Sequence, residues 1–317
     1  RVMADAGDGV VLCECFARDG LQHEEGFIPT DAKVAAIDSF TAFGFRRVET
    51  TSYSHPKYVP QFADADEVLR RVARRPGVRL KATCPNLNAV RRAIAAADAG
   101  YGPEEISLLV SASEAHSRKN LNRSREEQWA LVESMAAEGR GRFVMVGTVS
   151  VAFGCPFEGR VPQDRVVEDA RRMATLGVDH IAIGDTVGLG NPRSVRALFT
   201  ALKQALPDAA LIAHFHDTRG TGIANCMAAY DAGARHFDTA FGGVGGHAAK
   251  IRYGEGYTGN VCTEDLAAMF EAMGIPTGLD LDRLLDVAGQ CETILGRELR
   301  GMVTRSGLGP LHGVSHA

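Results

Sequence analysis

His214 and His216 lie two positions apart at the end of an apolar run, where a strand would present both imidazoles on one side. Together with Asp19, which follows the first apolar run of the chain, they make a ligand set of nitrogen and oxygen atoms without a thiolate. Such a set favours Mg²⁺ or Mn²⁺, completed by water, over a closed structural zinc site. Asn260, on a later loop, would add an amide oxygen to the same site.

The histidine pair also has a simpler interpretation, in which one imidazole is hydrogen-bonded in the core and the other is solvated. Other polar residues lie in the last part of predicted strands or just after them, at the same rim, and these are Arg18, Glu49 and Asp185. Charged groups converge in this way at functional sites, although structural ion pairs also cluster. Arg18 is either the salt-bridge partner of Glu49 or a group that acts on a substrate, and both roles can hold together.

Short apolar runs alternate with helical stretches along the chain. The predicted strands are 10–16, 46–52, 78–84, 106–111, 143–151, 180–185, 210–216 and 235–241. The predicted helices are 30–44, 64–75, 87–99, 125–138, 164–176, 193–206, 223–232 and 263–273. This number and order predict an α/β fold, the TIM (β/α)8 barrel. A doubly wound open sheet would give the same alternation, but no Gly-x-Gly-x-x-Gly follows the first strand.

We predict a single domain over residues 1–317, with the barrel at about 10–275 and an additional C-terminal helix and tail at about 276–317. The extra helix is expected at about 281–299, followed by a glycine-rich tail. Because active sites of TIM barrels lie at the C-terminal ends of the strands, the polar residues there are the candidates for chemistry.

The composition excludes several classes of protein. With 317 residues, 45% hydrophobic and 23% charged, the chain is neither disordered, collagen-like nor a coiled coil. A net charge of -4 without a basic block makes nucleic acid and membrane poor partners, and no apolar run approaches the roughly 18–20 residues of a membrane span. The scattered, odd number of cysteines suits a reduced, cytoplasmic enzyme. The first nine residues do not read as a signal peptide, and the start at Arg1 leaves a removed segment open.

Motifs spread along the chain in a defined order resemble the 3-hydroxy-3-methylglutaryl-CoA lyase family, a group of metal-dependent TIM-barrel lyases and condensing enzymes. They are Arg-Asp-Gly-Leu-Gln at 18–22, Val-Glu-Thr-Thr-Ser at 48–52, Pro-Lys-Tyr-Val-Pro-Gln at 56–61, Gly-Cys-Pro-Phe-Glu-Gly at 154–159, Gly-Asp-Thr-Val-Gly at 184–188, His-Phe-His-Asp-Thr at 214–218, Gly-Asn at 259–260 and Thr-Glu-Asp-Leu at 263–266. The resemblance implies a divalent cation, Mg²⁺ or Mn²⁺, as cofactor and an acyl-CoA as substrate. A homodimer is the assembly that we consider.

The resemblance also implies a role for each matching residue. The positions that match the family's ligands to a divalent cation are Asp19, His214, His216 and Asn260. Arg18 matches the arginine that stabilises developing enolate charge, and Glu49 matches its carboxylate neighbour. Asp185 matches an acidic residue at the reacting centre. The positions that match the lining of the substrate site are Gln22 and Ser52.

The loop after the eighth strand departs from the family's pattern. The family has Gly-Gly-Cys-Pro there, and its cysteine is a catalytic acid/base. This sequence has Gly-Gly-His-Ala at 245–248, so His247 takes the place of that cysteine. Imidazole exchanges protons near neutral pH at least as readily as a thiol, so His247 is a candidate catalytic acid; the alternative is a solvated loop residue. Arg219 replaces a tyrosine that is usual in the family.

The expected reaction is a retro-aldol or retro-Claisen cleavage of a 3-hydroxy-3-methylglutaryl-CoA-like acyl-CoA to acetyl-CoA and a keto acid. Asp185 or a ligand histidine would take the hydroxyl proton, Arg18 would stabilise the enolate, and His247 would return a proton. Four alternatives stay open: another 3-hydroxyacyl-CoA, such as a citramalyl-CoA-like substrate; a condensing enzyme; a Schiff-base aldolase that uses Lys81; and an inactive binding protein on the same barrel.

Overall fold

The computed structural model describes residues 9–246 and 258–309. His247, a candidate catalytic acid, therefore lies outside the described residues. Within the described ranges, eight parallel strands close into one barrel in chain order, the eighth pairing with the first. This architecture confirms the predicted TIM barrel.

Each strand of the barrel overlaps one of the predicted apolar runs. The strands are β1 Val11–Glu14, β2 Arg47–Ser52, β3 Arg79–Thr83, β4 Glu105–Ser111, β5 Val144–Ser150, β6 His180–Asp185, β7 Ala210–Phe215 and β8 His236–Thr239. β1 ends earlier than expected because the chain turns at once into the helical turn Phe16–Gly20. The Glu14 side chain accepts the Phe16 N–H through Oε1 at 2.9 Å and so fixes this turn.

One main helix follows each strand on the outside of the barrel. They are α1 Thr30–Phe43, α2 Ala65–Arg71, α3 Leu87–Asp98, α4 Arg125–Gly139, α5 Gln163–Thr175, α6 Pro192–Ala205, α7 Gly222–Asp231 and α8 Thr263–Ala272. Short polar side chains set several helix starts: Ser124 and Glu127 form a capping box at α4, and Asn191 caps α6 just before a proline. These caps satisfy backbone N–H groups that have no partner within the helix.

The apolar side chains fall into an outer core and a small inner one. The outer core lies between the strands and the surrounding helices and includes Leu12, Ile37 and Phe199, which are fully or almost fully buried. Inside the barrel, the apolar cluster consists of Val146, Ala182 and Ile212. This inner cluster comes from β5, β6 and β7, so the other side of the barrel is available to the polar residues described below.

The C-terminal part adds the predicted extra helix, which the structure places against α1. Helix α9 spans Leu284–Leu295 and ends at Gly296, whose φ of 64° is the left-handed conformation common after a helix. The structure then differs from the expected tail, because a short helix α10 forms at Met302–Ser306. The Asp265 carboxylate accepts the first two backbone N–H groups of α10 at 3.0 and 2.8 Å. None of the helices in the described ranges is long and apolar enough to cross a membrane.

Candidate active site and metal centre

Three of the four predicted metal ligands lie together at the C-terminal end of the barrel. Asp19 belongs to the turn after β1, His214 to β7, and His216 follows that strand by one residue. Their potential ligand atoms all lie within 4.8 Å of one another. The Asp19 Oδ2 atom is 3.7 Å from His214 Nε2 and 3.5 Å from His216 Nε2. The barrel therefore brings together residues that are almost 200 positions apart in the chain.

The opposite nitrogen of each ring has its own partner. His214 Nδ1 lies 3.1 Å from Asp238 Oδ2, and His216 Nδ1 hydrogen-bonds the Thr258 carbonyl. These partners leave the Nε2 atoms directed at Asp19, which is the arrangement that orients histidines toward a metal. Neither partner was predicted from the sequence. Asp238 had a weak signal as a charged residue within a strand, whereas Thr258 acts through its backbone and had none.

Asn260 completes the predicted ligand set from a bridge beside His216. Its Nδ2 donates to Asp19 Oδ2 at 2.8 Å and to the Val244 carbonyl at 3.0 Å. Its Oδ1 is buried and has no hydrogen-bond partner among the described residues. A buried oxygen without a donor is unfavourable, and amide oxygens are good ligands for hard divalent cations. The residues present thus fit a divalent cation.

Gly245 allows the loop after β8 to approach this asparagine. A Cβ atom at position 245 would fall 2.3 Å from Asn260 Nδ2, and the φ of +123° is strained for any other residue. Glycine is therefore required both by space and by backbone conformation at the closest approach of the loop to the site.

The electrostatic environment keeps Asp19 ionised. Burial alone would raise the pKa of Asp19, but Arg18, His216 and His214 outweigh it and hold that pKa well below its usual value. Burial likewise opposes the charged form of His216, while Asp19 raises the pKa of this histidine above its ordinary value. A permanently anionic carboxylate beside two imidazoles is a suitable centre for a divalent cation.

Arg18 connects the candidate metal site to Glu49. Its Nη1 is 3.0 Å from Asp19 Oδ1, and its Nη2 is 2.7 Å from Glu49 Oε2. Glu49 is fully buried, and its other oxygen accepts the Thr83 hydroxyl at 2.7 Å. The pKa of Glu49 would rise through burial, but Arg18 and Lys81 lower it below its usual value. The arginine is thus both ion-paired and placed at the rim, with 15% of its side chain exposed.

Asp185 ends β6 and has both carboxylate oxygens engaged by the loop that follows. Oδ1 accepts the Leu189 N–H and Oδ2 accepts the Gly190 N–H, each at 2.9 Å. Burial raises the pKa of Asp185, against these two bonds. In this structure the carboxylate holds the loop in place, and a role as base stays a prediction. Arg219 braces the same loop by donating to the carbonyls of Val187 and Gly188.

The two predicted substrate-lining residues lie at the same end of the barrel, one in the turn after β1 and the other at the end of β2. Gln22 is half-buried in the short turn Leu21–His23, three residues after Asp19. Ser52 is buried at the end of β2, and its Oγ lies 2.8 Å from Ser54 Oγ. Their contact with a substrate stays a prediction.

Lys81, the residue required by the Schiff-base alternative, lies inside the barrel and is 2% exposed. Its Nζ is 3.5 Å from Glu49 Oε1 and 3.6 Å from Asp238 Oδ2. Burial would lower the pKa of Lys81, but Asp238 and Glu49 outweigh it and raise that pKa well above its ordinary value. A buried, protonated lysine is not a nucleophile, so the structure argues against a Schiff-base aldolase.

Known proteins are similar to this chain over most of its length. The family model described as HMGL-like matches residues 9–290. Hydroxymethylglutaryl-CoA lyase, mitochondrial, of Rattus norvegicus is 36% identical over 298 residues, which cover 94% of this chain and 89% of that protein. The 3-hydroxy-3-methylglutaryl-CoA lyase, cytoplasmic, of the same organism is 38% identical over 278 residues, covering 87% and 78%.

Solved structures give the same result. An HMG-CoA lyase from Acinetobacter baumannii, in complex with coenzyme A and 3-methylmalate, superposes with a TM-score of 0.89 at 34% identity and covers 97% of this chain and 98% of that chain. The HMG-CoA lyase of Bacillus subtilis gives 0.88 at 33% identity, covering 94% and 98%. With the family model, this agreement in sequence and fold shows that the chain belongs to the HMGL-like family.

Proposed function

We propose that this chain is a divalent-metal-dependent carbon–carbon lyase that cleaves 3-hydroxy-3-methylglutaryl-CoA, or a similar acyl-CoA, to acetyl-CoA and a keto acid. The observation that carries the proposal is the position of Arg18, which contacts the same Asp19 carboxylate that faces His214 and His216. The reaction needs one group that acidifies a tertiary hydroxyl and another, a few ångströms away, that stabilises an enolate. The cation site and Arg18 supply these two groups.

The residues proposed to hold the cation are Asp19, His214, His216 and Asn260. When bound, the cation supplies a Lewis acid that lowers the pKa of the substrate hydroxyl. We assign Mg²⁺ or Mn²⁺ to the site because its ligand set offers carboxylate, amide and imidazole groups but no thiolate.

The protein's own residues then carry the charge and the protons. Asp185 or one of the two histidines takes the hydroxyl proton, the bond between the hydroxyl-bearing carbon and the acetyl-CoA carbon breaks, and its electron pair moves to the thioester carbonyl. Arg18 stabilises that developing negative charge, and Glu49 fixes the orientation of its guanidinium. His247, which stands in the sequence where the family has a cysteine, returns a proton to the α-carbon of the product.

A CoA thioester as substrate is supported by the relatives' names and by the Acinetobacter baumannii enzyme, whose structure contains coenzyme A. The replacement of the family cysteine by His247 favours one second candidate, a lyase that acts on a different 3-hydroxyacyl-CoA. Gln22 and Ser52 are proposed to line the acyl site in either case. An inactive binding protein is the weaker interpretation, since the predicted ligand positions are all filled by ligand residues.

The test is the release of acetyl-CoA from 3-hydroxy-3-methylglutaryl-CoA with Mg²⁺ or Mn²⁺, with and without EDTA, by wild type and His247→Ala. We expect turnover that EDTA abolishes and that falls strongly in the variant. Wild type that binds the metal but leaves this substrate untouched, while cleaving a citramalyl-CoA-like thioester, would transfer the proposal to the second candidate. Turnover that survives EDTA would refute metal dependence.

We also propose a cytoplasmic location and a homodimer. All seven cysteines are buried and free of disulfides, which suits a reducing compartment. One of the mammalian relatives is named as cytoplasmic and another as mitochondrial, so the location requires cell fractionation. Light scattering on the purified protein tests the dimer.

A further inference from the structure

We propose that Lys81 is a positioning residue of the active site, whose ammonium group holds in place two carboxylates, one that orients Arg18 and one that orients His214. The inference rests on the proposed function, since it assigns these two side chains their roles in the reaction. Lys81 acts on Arg18 and His214 indirectly, through its contacts with Glu49 and Asp238.

The contacts of Lys81 cross the interior of the barrel. Its Nζ lies 3.5 Å from Glu49 Oε1 on the neighbouring strand β2 and 3.6 Å from Asp238 Oδ2 on β8. In the closed barrel, β3 and β8 are separated by β1 and β2, so the contact with Asp238 does not follow a strand ladder. The ammonium group of Lys81 therefore links β3 to both β2 and β8 through the barrel interior.

Each of the two carboxylates continues to a residue of the site. The second oxygen of Glu49, Oε2, is 2.7 Å from Arg18 Nη2. Asp238 Oδ2, the atom that faces Lys81, is also 3.1 Å from His214 Nδ1. Through these two carboxylates, Lys81 is linked to the Arg18 guanidinium, which is proposed to stabilise the enolate. It is linked in the same way to the His214 imidazole, which is proposed to bind the metal.

Lys81 is the cation that these two carboxylates share. The other buried cation of the barrel interior, Arg47, is committed to Glu105, with its Nε 3.1 Å from Glu105 Oε2 and its Nη2 bonded to Oε1. Arg47 Nη1 is also 3.6 Å from Asp238, but at the other oxygen, Oδ1, which has no hydrogen-bond partner among the described residues. Without Lys81, Glu49 would keep Arg18 as its partner and Asp238 would keep His214 and Arg47, but the two buried carboxylates would no longer share a cation. Their mutual repulsion would then move them apart.

This displacement would carry Arg18 and His214 out of position. We expect Lys81→Met to lower kcat and Mn²⁺ affinity by about 10- to 100-fold, the usual effect of removing a group that orients metal ligands. KM for the acyl-CoA should change by less than about threefold, because Lys81 does not contact the substrate. Lys81→Arg restores the charge with different geometry and should limit both losses to about threefold.

Lys33 provides a matched control. It is also a buried lysine, 2% exposed, and its Nζ pairs with Asp64 Oδ1 at 2.9 Å, but it lies on α1 outside the barrel. Lys33→Met removes a buried ion pair of the same kind without touching the residues of the site. It should lower the melting temperature while kcat and Mn²⁺ affinity stay at the wild-type values.

The experiment measures the Kd of Mn²⁺ by electron paramagnetic resonance, together with kcat and KM, for wild type, Lys81→Met, Lys81→Arg and Lys33→Met below their melting temperatures. Losses of kcat and Mn²⁺ affinity confined to the Lys81 variants, with KM preserved, support the proposal. Wild-type values in Lys81→Met, or equal losses in Lys33→Met, overturn it.

Two further outcomes are decided by the same data. Should Lys81→Met fail to fold, Lys81→Arg decides: a threefold loss in both quantities supports the proposal, and wild-type values overturn it. Should wild type bind Mn²⁺ but release no acetyl-CoA, the proposed function fails, and the Mn²⁺ affinities of the variants alone judge the role of Lys81.

Discussion

Arg18 shares the Asp19 carboxylate with the two histidines, so its chemical role and its structural role can be separated by one substitution. Its Nη1 lies 3.0 Å from Asp19 Oδ1 and competes with a cation for that carboxylate. We predict that Arg18→Met lowers kcat by about 10²- to 10³-fold, the effect of removing one group that stabilises a developing oxyanion. Mn²⁺ affinity should stay the same or increase, because the carboxylate loses a competing partner.

Steady-state kinetics and Mn²⁺ titration of the same preparation check this prediction. Arg196→Met is the control, since this surface arginine pairs with Asp231 at 2.9 Å on the outer helices. Equal losses of turnover and Mn²⁺ affinity in Arg18→Met would mean that the arginine only supports the metal centre. Unchanged turnover would exclude it from the reaction.

At the residue scale, the sequence predicts the candidate metal ligands but not the partners that orient them. Asp19, His214 and His216 were predicted because strand alternation and the common rim of a barrel bring them together, and the structure places them together. The partners that orient them were not predicted. Asp238 contacts strands on both sides of the barrel, so no spacing in the chain points to it, and Thr258 contributes only a backbone carbonyl.

At the scale of elements, the loop after β8 is fixed by the C-terminal segment that crosses it. Gly242 has a φ of +66°, and a Cβ atom there would fall 2.4 Å from Leu299. Gly242 also donates to the Glu264 carboxylate at 3.0 Å, and its carbonyl accepts the Arg300 N–H at 3.1 Å. The glycine thus joins the loop to α8 and to the segment before α10.

We predict that Gly242→Ala destabilises the protein by about 1–3 kcal/mol, through backbone strain and through displacement of Leu299. Urea unfolding measures this change. Gly289→Ala in α9 is the control, because a Cβ there meets nothing within 4 Å; it should stabilise the helix by about 0.5–1 kcal/mol. Equal effects of the two substitutions would contradict the proposed packing of Gly242.

The strands and long helices were predictable from hydrophobic periodicity, and their ends less so. β1 ends at Glu14 rather than at residue 16 because the Glu14 carboxylate fixes an immediate turn. Helix α10 was missed because its five residues carry no periodic pattern and its N-terminus is capped by Asp265, 37 residues earlier in the chain. Local patterns do not contain such tertiary caps.

At the scale of the whole molecule, the barrel interior contains many polar side chains. Two of them are buried histidines at the N-terminal ends of their strands. The rings of His180 on β6 and His236 on β8 lie 5.9 Å apart, and both nitrogens of His180 lack hydrogen-bond partners among the described residues. Burial, with Arg47 nearby, lowers the pKa of His180 from 6.5 to about 4 and that of His236 to about 3. Both rings are therefore neutral in the folded protein at neutral pH.

The folded-state pKa of His180 lies below its unfolded value, so the unfolded chain binds more protons between pH 6.5 and 4. The contribution of His180 to the free energy of unfolding is nearly constant above about pH 7.5 and falls by about 2 kcal/mol between about pH 7.5 and 5. Glu14 acts in the opposite direction, because burial raises its pKa to about 8. The effect of His180 is therefore isolated by comparing the pH dependence of the free energy of unfolding between a His180 variant and wild type.

Urea unfolding at about pH 7.5 and 5 should show that His180→Gln loses about 2 kcal/mol less than wild type on acidification. His55→Gln, the same substitution at an exposed histidine, is the control. Identical pH dependence in wild type and His180→Gln would contradict the neutral, buried state of this ring.

The central claim is that Asp19, His214 and His216 form a divalent-metal site on which carbon–carbon cleavage depends. The most direct measurement is a Mn²⁺ titration of metal-free wild type and Asp19→Asn, with acetyl-CoA release from 3-hydroxy-3-methylglutaryl-CoA followed in the same samples. We predict one Mn²⁺ bound per wild-type chain, acetyl-CoA release that rises in proportion to occupancy, and the loss of both in Asp19→Asn. Wild-type Mn²⁺ affinity in Asp19→Asn, or acetyl-CoA release by the metal-free protein, would contradict the account.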